Sequence, residues 1–388
     1  MSFFSEIYNR RNSNSLKWDK MCEIYNLEDT TNILPMWVAD MDFPAPPAVV
    51  DALSTRLKHP IFGYTFPDDE LKHAIISWYK ERHNWAIDPS TLIFHQGVVP
   101  AIATIVETFT KEGDKIGMST PVYPPFFNVP KAQAREIVTC DLEEVNGSYM
   151  FNFDTLEEMF KTGIKLYILC NPHNPAGIVW RREELEKLVQ LCIQYDVYLL
   201  SDEIHADILI NKKYTPLLTV AGAENAKVIS CIAPTKTFNI AGIHAAMTVT
   251  TSKELLNALT LNGLAHGSLD LNTFACTAVT AVYSEGAEWL DALLTYLKKN
   301  MEFVANELNS LEGINVKIPD ATYLMWIDYR GTGLTEKDIM ERLLTKGQVA
   351  LDPGTKYGEA GKGFLRMNVA CPFDLVQDGV ERFKQSLQ

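Results

Sequence analysis

Five short apolar runs, TLIF, KLYILC, VYLLSDE, KVISCIA and AAMTVT, lie between about residues 90 and 250, and helical patterns such as GVVPAIATIVETFTKEG and RREELEKLVQLCIQYD separate them. A strand written as a continuous apolar run has both faces buried, and strands that alternate with amphipathic helices join in parallel. The pattern predicts an α/β domain whose mostly parallel sheet is covered on both faces. In such a sheet ligands bind beyond the carboxyl ends of the strands. The polar residues just past these runs, Gln96 and Gly97, positions 171–177, Asp202 and Lys236, are therefore expected to converge on one crevice.

A second pattern begins after about residue 285. EWLDALLTYLKKNMEFVANELNSL reads as a long amphipathic helix, and strands around ATYLMWIDY and GFLRMNVA flank a helix near EKDIMERLL. This predicts a smaller α+β domain completed by the N-terminal segment. The expected division is a large domain over 46–285 and a small one formed by 1–45 with 286–388.

Composition narrows the function. Thirty-five Lys and Arg stand against 49 Asp and Glu, a net charge of -14 without a dense basic run, which argues against nucleic acid and anionic membranes as partners. Seven scattered cysteines without a C-x-x-C pair read as reduced thiols, and no metal site is expected. The opening MSFFSEIYNRRNSNSLKW has no apolar core of a signal peptide, and no run of about 18 apolar residues occurs, so a cytoplasmic location is expected.

Lys236, in APTKTFNIAG directly after an apolar run, is either a solvated loop residue or an amine the fold has placed. Its company decides. LPMWVADMDFPAPPAV, FGYTFPDDEL, GVVPAI, TPVYPPF, CNPHNPAGIVW, SDEIHADI and TKTFNIAG follow one another, with GFLRMNVACP near the end. Over essentially the whole chain this resembles the fold-type I, pyridoxal 5'-phosphate-dependent aminotransferase superfamily. Within it, the chain is most similar to the MalY/PatB-type carbon-sulfur lyases, or cystathionine β-lyases.

The resemblance implies roles for particular residues. Lys236 matches the amine that carries the cofactor, and Asp202 the acid beside its pyridine nitrogen. Asn174 matches the contact to the phenolic oxygen and Tyr123 the stacking ring, with catalytic parts expected of Lys236, Asp202 and Tyr123. Gly97, Val98 and Val99 open a helix whose free N–H groups suit the phosphate. Thr235 adds a hydroxyl there, and Tyr64 matches a tyrosine reaching the phosphate and the substrate site from a neighbouring subunit, which makes a homodimer with shared sites the expected assembly. Arg366 matches the arginine for the substrate α-carboxylate, a task for a planar fork of donors, and the backbone of Ala39 is expected nearby.

Two positions depart from the wider aminotransferase pattern. His205 stands where many members carry tyrosine, a substitution shared with the lyase subgroup, and a histidine is expected there to change protonation near neutral pH. His244 replaces a phosphate-binding arginine and is a poorer anion partner. The implied reaction is β-elimination from L-cystathionine or another amino-acid thioether, giving a thiol, pyruvate and ammonia. An aminotransferase of small amino acids uses the same parts, and a cofactor-binding regulator is a third reading.

Overall fold

The computed structural model describes residues 3–388. Seven strands form the central sheet: β1 (Leu92–His95), β2 (Lys115–Thr120), β3 (Glu136–Asp141), β4 (Leu166–Cys170), β5 (Tyr198–Asp202), β6 (Val228–Ile232) and β7 (Ala246–Val249), in the order β1-β7-β6-β5-β4-β2-β3. Only β7 runs against its neighbours, pairing antiparallel with both β1 and β6. Every residue of β4, β6 and β7 is buried, as their unbroken apolar runs demand, whereas the edge strand β3 exposes Glu136 and Asp141 to water.

The apolar-run reading passes over β2 and β3. β3 is masked by its polar edge composition, and β2 by Lys115, Gly117 and two hydroxyl residues. Gly117 is a packing requirement: a Cβ there would lie 2.7 Å from Ile164 Cδ1 and 3.2 Å from the Met159 side chain.

The small sheet has four antiparallel strands, β8 (Asn315–Val316), β9 (Leu324–Asp328), β10 (Asp352–Pro353) and β11 (Phe364–Asn368), ordered β8-β9-β11-β10. The 22-residue helix Ala287–Leu308 buries Trp289, Leu290, Leu293, Leu297, Met301, Val304 and Leu308 along one stripe, the spacing of an amphipathic helix. This stripe belongs to a core that also holds the β9 and β11 side chains and the apolar faces of Pro47–Leu57 and Asp69–His83.

The segment around residues 34–43 ties the parts together. Leu34 and Pro35 pair in parallel with Val349 and Ala350, and the Asn368 side chain donates to the carbonyls of Val38 and Asp40. From the other side, Asn239, three residues past Lys236, donates to the carbonyls of Met41 and Phe43 and accepts from Met41 N–H. Two asparagines thus hold one backbone segment between β11 and the loop after β6. No helix among the described residues is long and apolar enough to cross a membrane.

Candidate active site

Because β1, β2, β4, β5 and β6 run in the same direction, Gly97, Tyr123, Asn174, Asp202 and Lys236 all follow strand ends on one rim. His244 joins them from the opposite direction, just before β7, whose first residue Ala246 pairs with His95 at the end of β1. His244 itself is exposed and left-handed, at φ 60°.

Asp202 closes β5, buried between its cross-strand neighbours Cys170 and Cys231. Its Oδ1 accepts from Ile204 N–H at 3.2 Å, and it forms no ion pair among the described residues. Burial pushes its carboxyl up to about 7, against the weaker downward pull of that hydrogen bond and of Lys236. A buried carboxylate that ionises at neutral pH requires a cation beside it. Its neighbour Glu203, by contrast, is satisfied: it accepts from Ser201, Ser230, Leu217 N–H and the Tyr214 hydroxyl.

Lys236 donates to the Ala39 carbonyl, which also accepts from the Tyr323 hydroxyl at 2.9 Å. Burial, and then the Arg366 charge, lower its amine to about 8, with Asp40 and Asp202 pulling the other way. A primary amine near 8 is partly deprotonated at neutral pH, as a nucleophile or base must be. The loop is anchored next door: Thr237 donates to Asp207 Oδ2 at 2.9 Å, and Asp207 Oδ1 also pairs with Trp78 Nε1 at 2.9 Å and His83 Nε2 at 2.7 Å.

Arg366 lies buried on β11, opposite Trp326 of β9 and Asp352 of β10. Nη1 donates to Asn174 Oδ1 at 3.1 Å, while Nη2 donates to the Trp37 carbonyl at 2.7 Å and Asp352 Oδ2 at 2.9 Å. An arginine only donates, so it fixes the Asn174 amide with its oxygen inward and leaves Nδ2 to donate elsewhere. Tyr123 sits close enough to Asp202 and Arg366 to feel both charges; burial raises its phenol to about 12.

Gly97 caps the helix Val98–Phe109 at φ 132°, a backbone that side chains rarely adopt. The first N–H groups of a helix have no internal partner, and here Val98 and Val99 supply two, since Pro100 has none. Thr235 is buried beside Lys236.

Burial decides the state of His205, and exposure that of Tyr64. His205 is buried against Tyr323 with Nδ1 unpaired, and burial, Lys236 and Arg366 together lower its pKa to about 3. It stays neutral at physiological pH, which corrects the expectation of a histidine titrating there: two neighbouring cations and the lack of water oppose a third charge. Tyr64 is fully exposed at 112% relative accessibility, and none of its own chain's site residues bonds it.

Trp37, Tyr323, Asp352 and Asp207 escaped sequence reasoning. Three sit in strands or segments whose apolar context reads as core, and Asp352, in LDPG, reads as a turn residue. Cross-strand register is the signal that places Asp352 against Arg366.

The residues present fit pyridoxal phosphate. Asp202 lacks the cation that a protonated pyridine nitrogen provides, Asn174 retains a donor for a phenolic oxygen, Lys236 has a partly deprotonated amine, and the Gly97 turn offers an anion cradle.

The family model described as aminotransferase class I and II matches residues 31–383. The chain is 41% identical to cystathionine β-lyase PatB of Bacillus subtilis, over 99% of each protein. It is 32% identical to protein MalY of Escherichia coli, covering 97% of this chain and 96% of that one. Cystalysin from Treponema denticola, solved with a pyridoxal 5'-phosphate cofactor, superposes with a TM-score of 0.94 at 35% identity, covering 99% of this chain and 98% of that one.

Proposed function

Since this chain belongs to the aminotransferase class I and II family, and within it to the cystathionine β-lyase group, we propose that it is a pyridoxal phosphate-dependent carbon-sulfur β-lyase. Its substrate is L-cystathionine or a related cysteine thioether, which with water yields a thiol, pyruvate and ammonia. The observation that carries the reading is the buried, cation-lacking Asp202 facing the same crevice as Lys236 and Arg366.

Lys236 would hold the cofactor through its amine, Asp202 its ring nitrogen, Asn174 its phenolic oxygen and Tyr123 its ring face. Gly97, Val98, Val99 and Thr235 would hold the phosphate, with His244 at the same rim. When bound, the cofactor supplies an electron sink for the pair left behind at the substrate's Cα.

The chain's own residues do the rest. Arg366 binds the α-carboxylate, and the Ala39 carbonyl accepts from the Lys236 amine whenever the cofactor does not hold it. Released, the Lys236 amine takes the Cα proton as a general base. The bond from Cβ to sulfur then breaks, and the thiolate departs with the electron pair. His205 is neutral in the resting protein.

Assembly and location complete the proposal. Ile61, Phe62, Tyr64 and Phe66 are all more than half exposed on one short stretch, an apolar strip that suits a second copy of the chain. Across that interface Tyr64 would reach the neighbour's phosphate. All seven cysteines are free, which suits the cytoplasm.

The test is incubation of the purified protein with L-cystathionine and no keto acid. Pyruvate and homocysteine should appear together, at least about tenfold faster than ordinary amino acids convert the cofactor to its amine form. Rapid conversion to that form without thiol would instead establish an aminotransferase.

A further inference from the structure

The Arg366–Asp352 pair adds a feature the lyase reading does not require. A guanidinium offers a carboxylate two paired edges, one formed by Nε with Nη2 and one by Nη1 with Nη2. Nη2 belongs to both. Here its two hydrogens are spoken for, by the Trp37 carbonyl at 2.7 Å and Asp352 Oδ2 at 2.9 Å, while buried Nε has no partner. Neither edge has both donors free for an incoming carboxylate.

The two occupants differ in how readily they yield. Trp37 is main chain, in the segment held by Asn368 and by pairing to Val349 and Ala350. Asp352 is a side chain with other partners already in place: the Tyr357 hydroxyl at 2.8 Å on Oδ2 and Lys356 Nζ at 2.8 Å on Oδ1. Its carboxylate can leave Arg366 and remain bonded to both. Asp352 also neutralises Arg366 inside a buried pocket, where an unpaired charge is costly.

We propose that Asp352 is an internal stand-in for the substrate carboxylate: it occupies Arg366 in the resting enzyme and turns away from it, still held by Lys356 and Tyr357, when an amino acid binds. The inference rests on the reading of Arg366 as the α-carboxylate site. Asp352 is thus a positioning residue that sets substrate affinity by competition. It lowers the apparent affinity for carboxylate ligands by the fraction of enzyme in which it holds Arg366, and leaves ligands that do not use Arg366 unaffected.

The test uses the holoenzyme and methylthiopropanoate, a thioether carboxylate without an amine, which cannot react with the cofactor; calorimetry reads its binding. Asp352→Asn and Asp352→Ser should each bind it at least about threefold more tightly, and the substrate KM should fall likewise. The amine counterpart, methylthioethylamine, should bind unchanged. Arg366→Lys should weaken methylthiopropanoate about tenfold or more.

Equal or weaker binding by the Asp352 variants, with Arg366→Lys behaving as stated, overturns the exchange and leaves the role of Arg366 standing. Undiminished binding by Arg366→Lys overturns both. Should the Asp352 variants fail to fold, Lys356→Met at a half-exposed position decides: binding about threefold weaker is expected, because the displaced carboxylate loses its receiver, and unchanged binding overturns the proposal.

Discussion

Replacing Asp202 by asparagine should stabilise the cofactor-free protein and disable the enzyme. In the fold this carboxyl is raised from its ordinary 3.8 to about 7, chiefly by burial. A difference of that size between folded and unfolded chains amounts to a penalty on the order of 4 kcal/mol at pH 8, an upper bound because water entering the crevice relieves part of it. The sign follows from the protonated form being favoured in the fold. Below about pH 3.8 both states carry the proton and nothing is lost; stability falls as the pH rises through the folded value near 7. Asparagine has the same shape and no charge to desolvate, so its advantage should be on the order of 2 kcal/mol at pH 5 and grow to on the order of 4 kcal/mol by pH 8. Urea unfolding of both apo-proteins at the two pH values measures this directly. Cofactor should reverse the ranking: wild-type protein gains stability by mass action on adding pyridoxal phosphate, whereas the variant, unable to balance a ring cation, binds it more weakly and loses at least about a hundredfold in β-elimination rate. An apo variant no more stable than wild type at pH 8, or an advantage that does not change with pH, refutes the view of Asp202 as an uncompensated buried acid.

Lys236→Ala should lose turnover and the visible absorbance of the lysine-bound cofactor together; a variant keeping either has its essential amine elsewhere. Asp207→Ala strands Trp78, His83 and Thr237 as buried donors and should cost about 3 kcal/mol in unfolding free energy. His83 holds the Asp207 carboxyl below its usual range despite burial, so this contribution is present above the ordinary carboxylate pKa and disappears as the pH falls through the lower folded value; acid titration of unfolding in wild type and variant shows the two curves converging if that is right. Mixing inactive Tyr64→Phe with inactive Lys236→Ala subunits should restore activity in hybrid dimers, and none despite proven exchange means Tyr64 does not serve a neighbour's site.

The sequence determined the broad layout. Unbroken apolar runs alternating with helical patterns read as strands buried on both sides, as β4, β6 and β7 are, and the rim residues Asp202 and Lys236 followed from where such runs stop. The motifs named Asn174, Tyr123 and Arg366, because a cofactor with fixed chemistry demands fixed residue types in order. What lay outside local pattern had to wait for the fold. β3 hid because an edge strand partly open to water carries Glu136, Thr139 and Asp141 among its apolar residues, and the antiparallel direction of β7 because periodicity carries no sign. The neutrality of His205 depended on how much water and how many cations surround it, and Asp352 met Arg366 only through a register joining strands 14 residues apart. Residue type and spacing fix which chemistry a chain can perform; burial, register and the charges brought within reach fix the protonation state and partner of each group, and those are properties of the packed molecule alone.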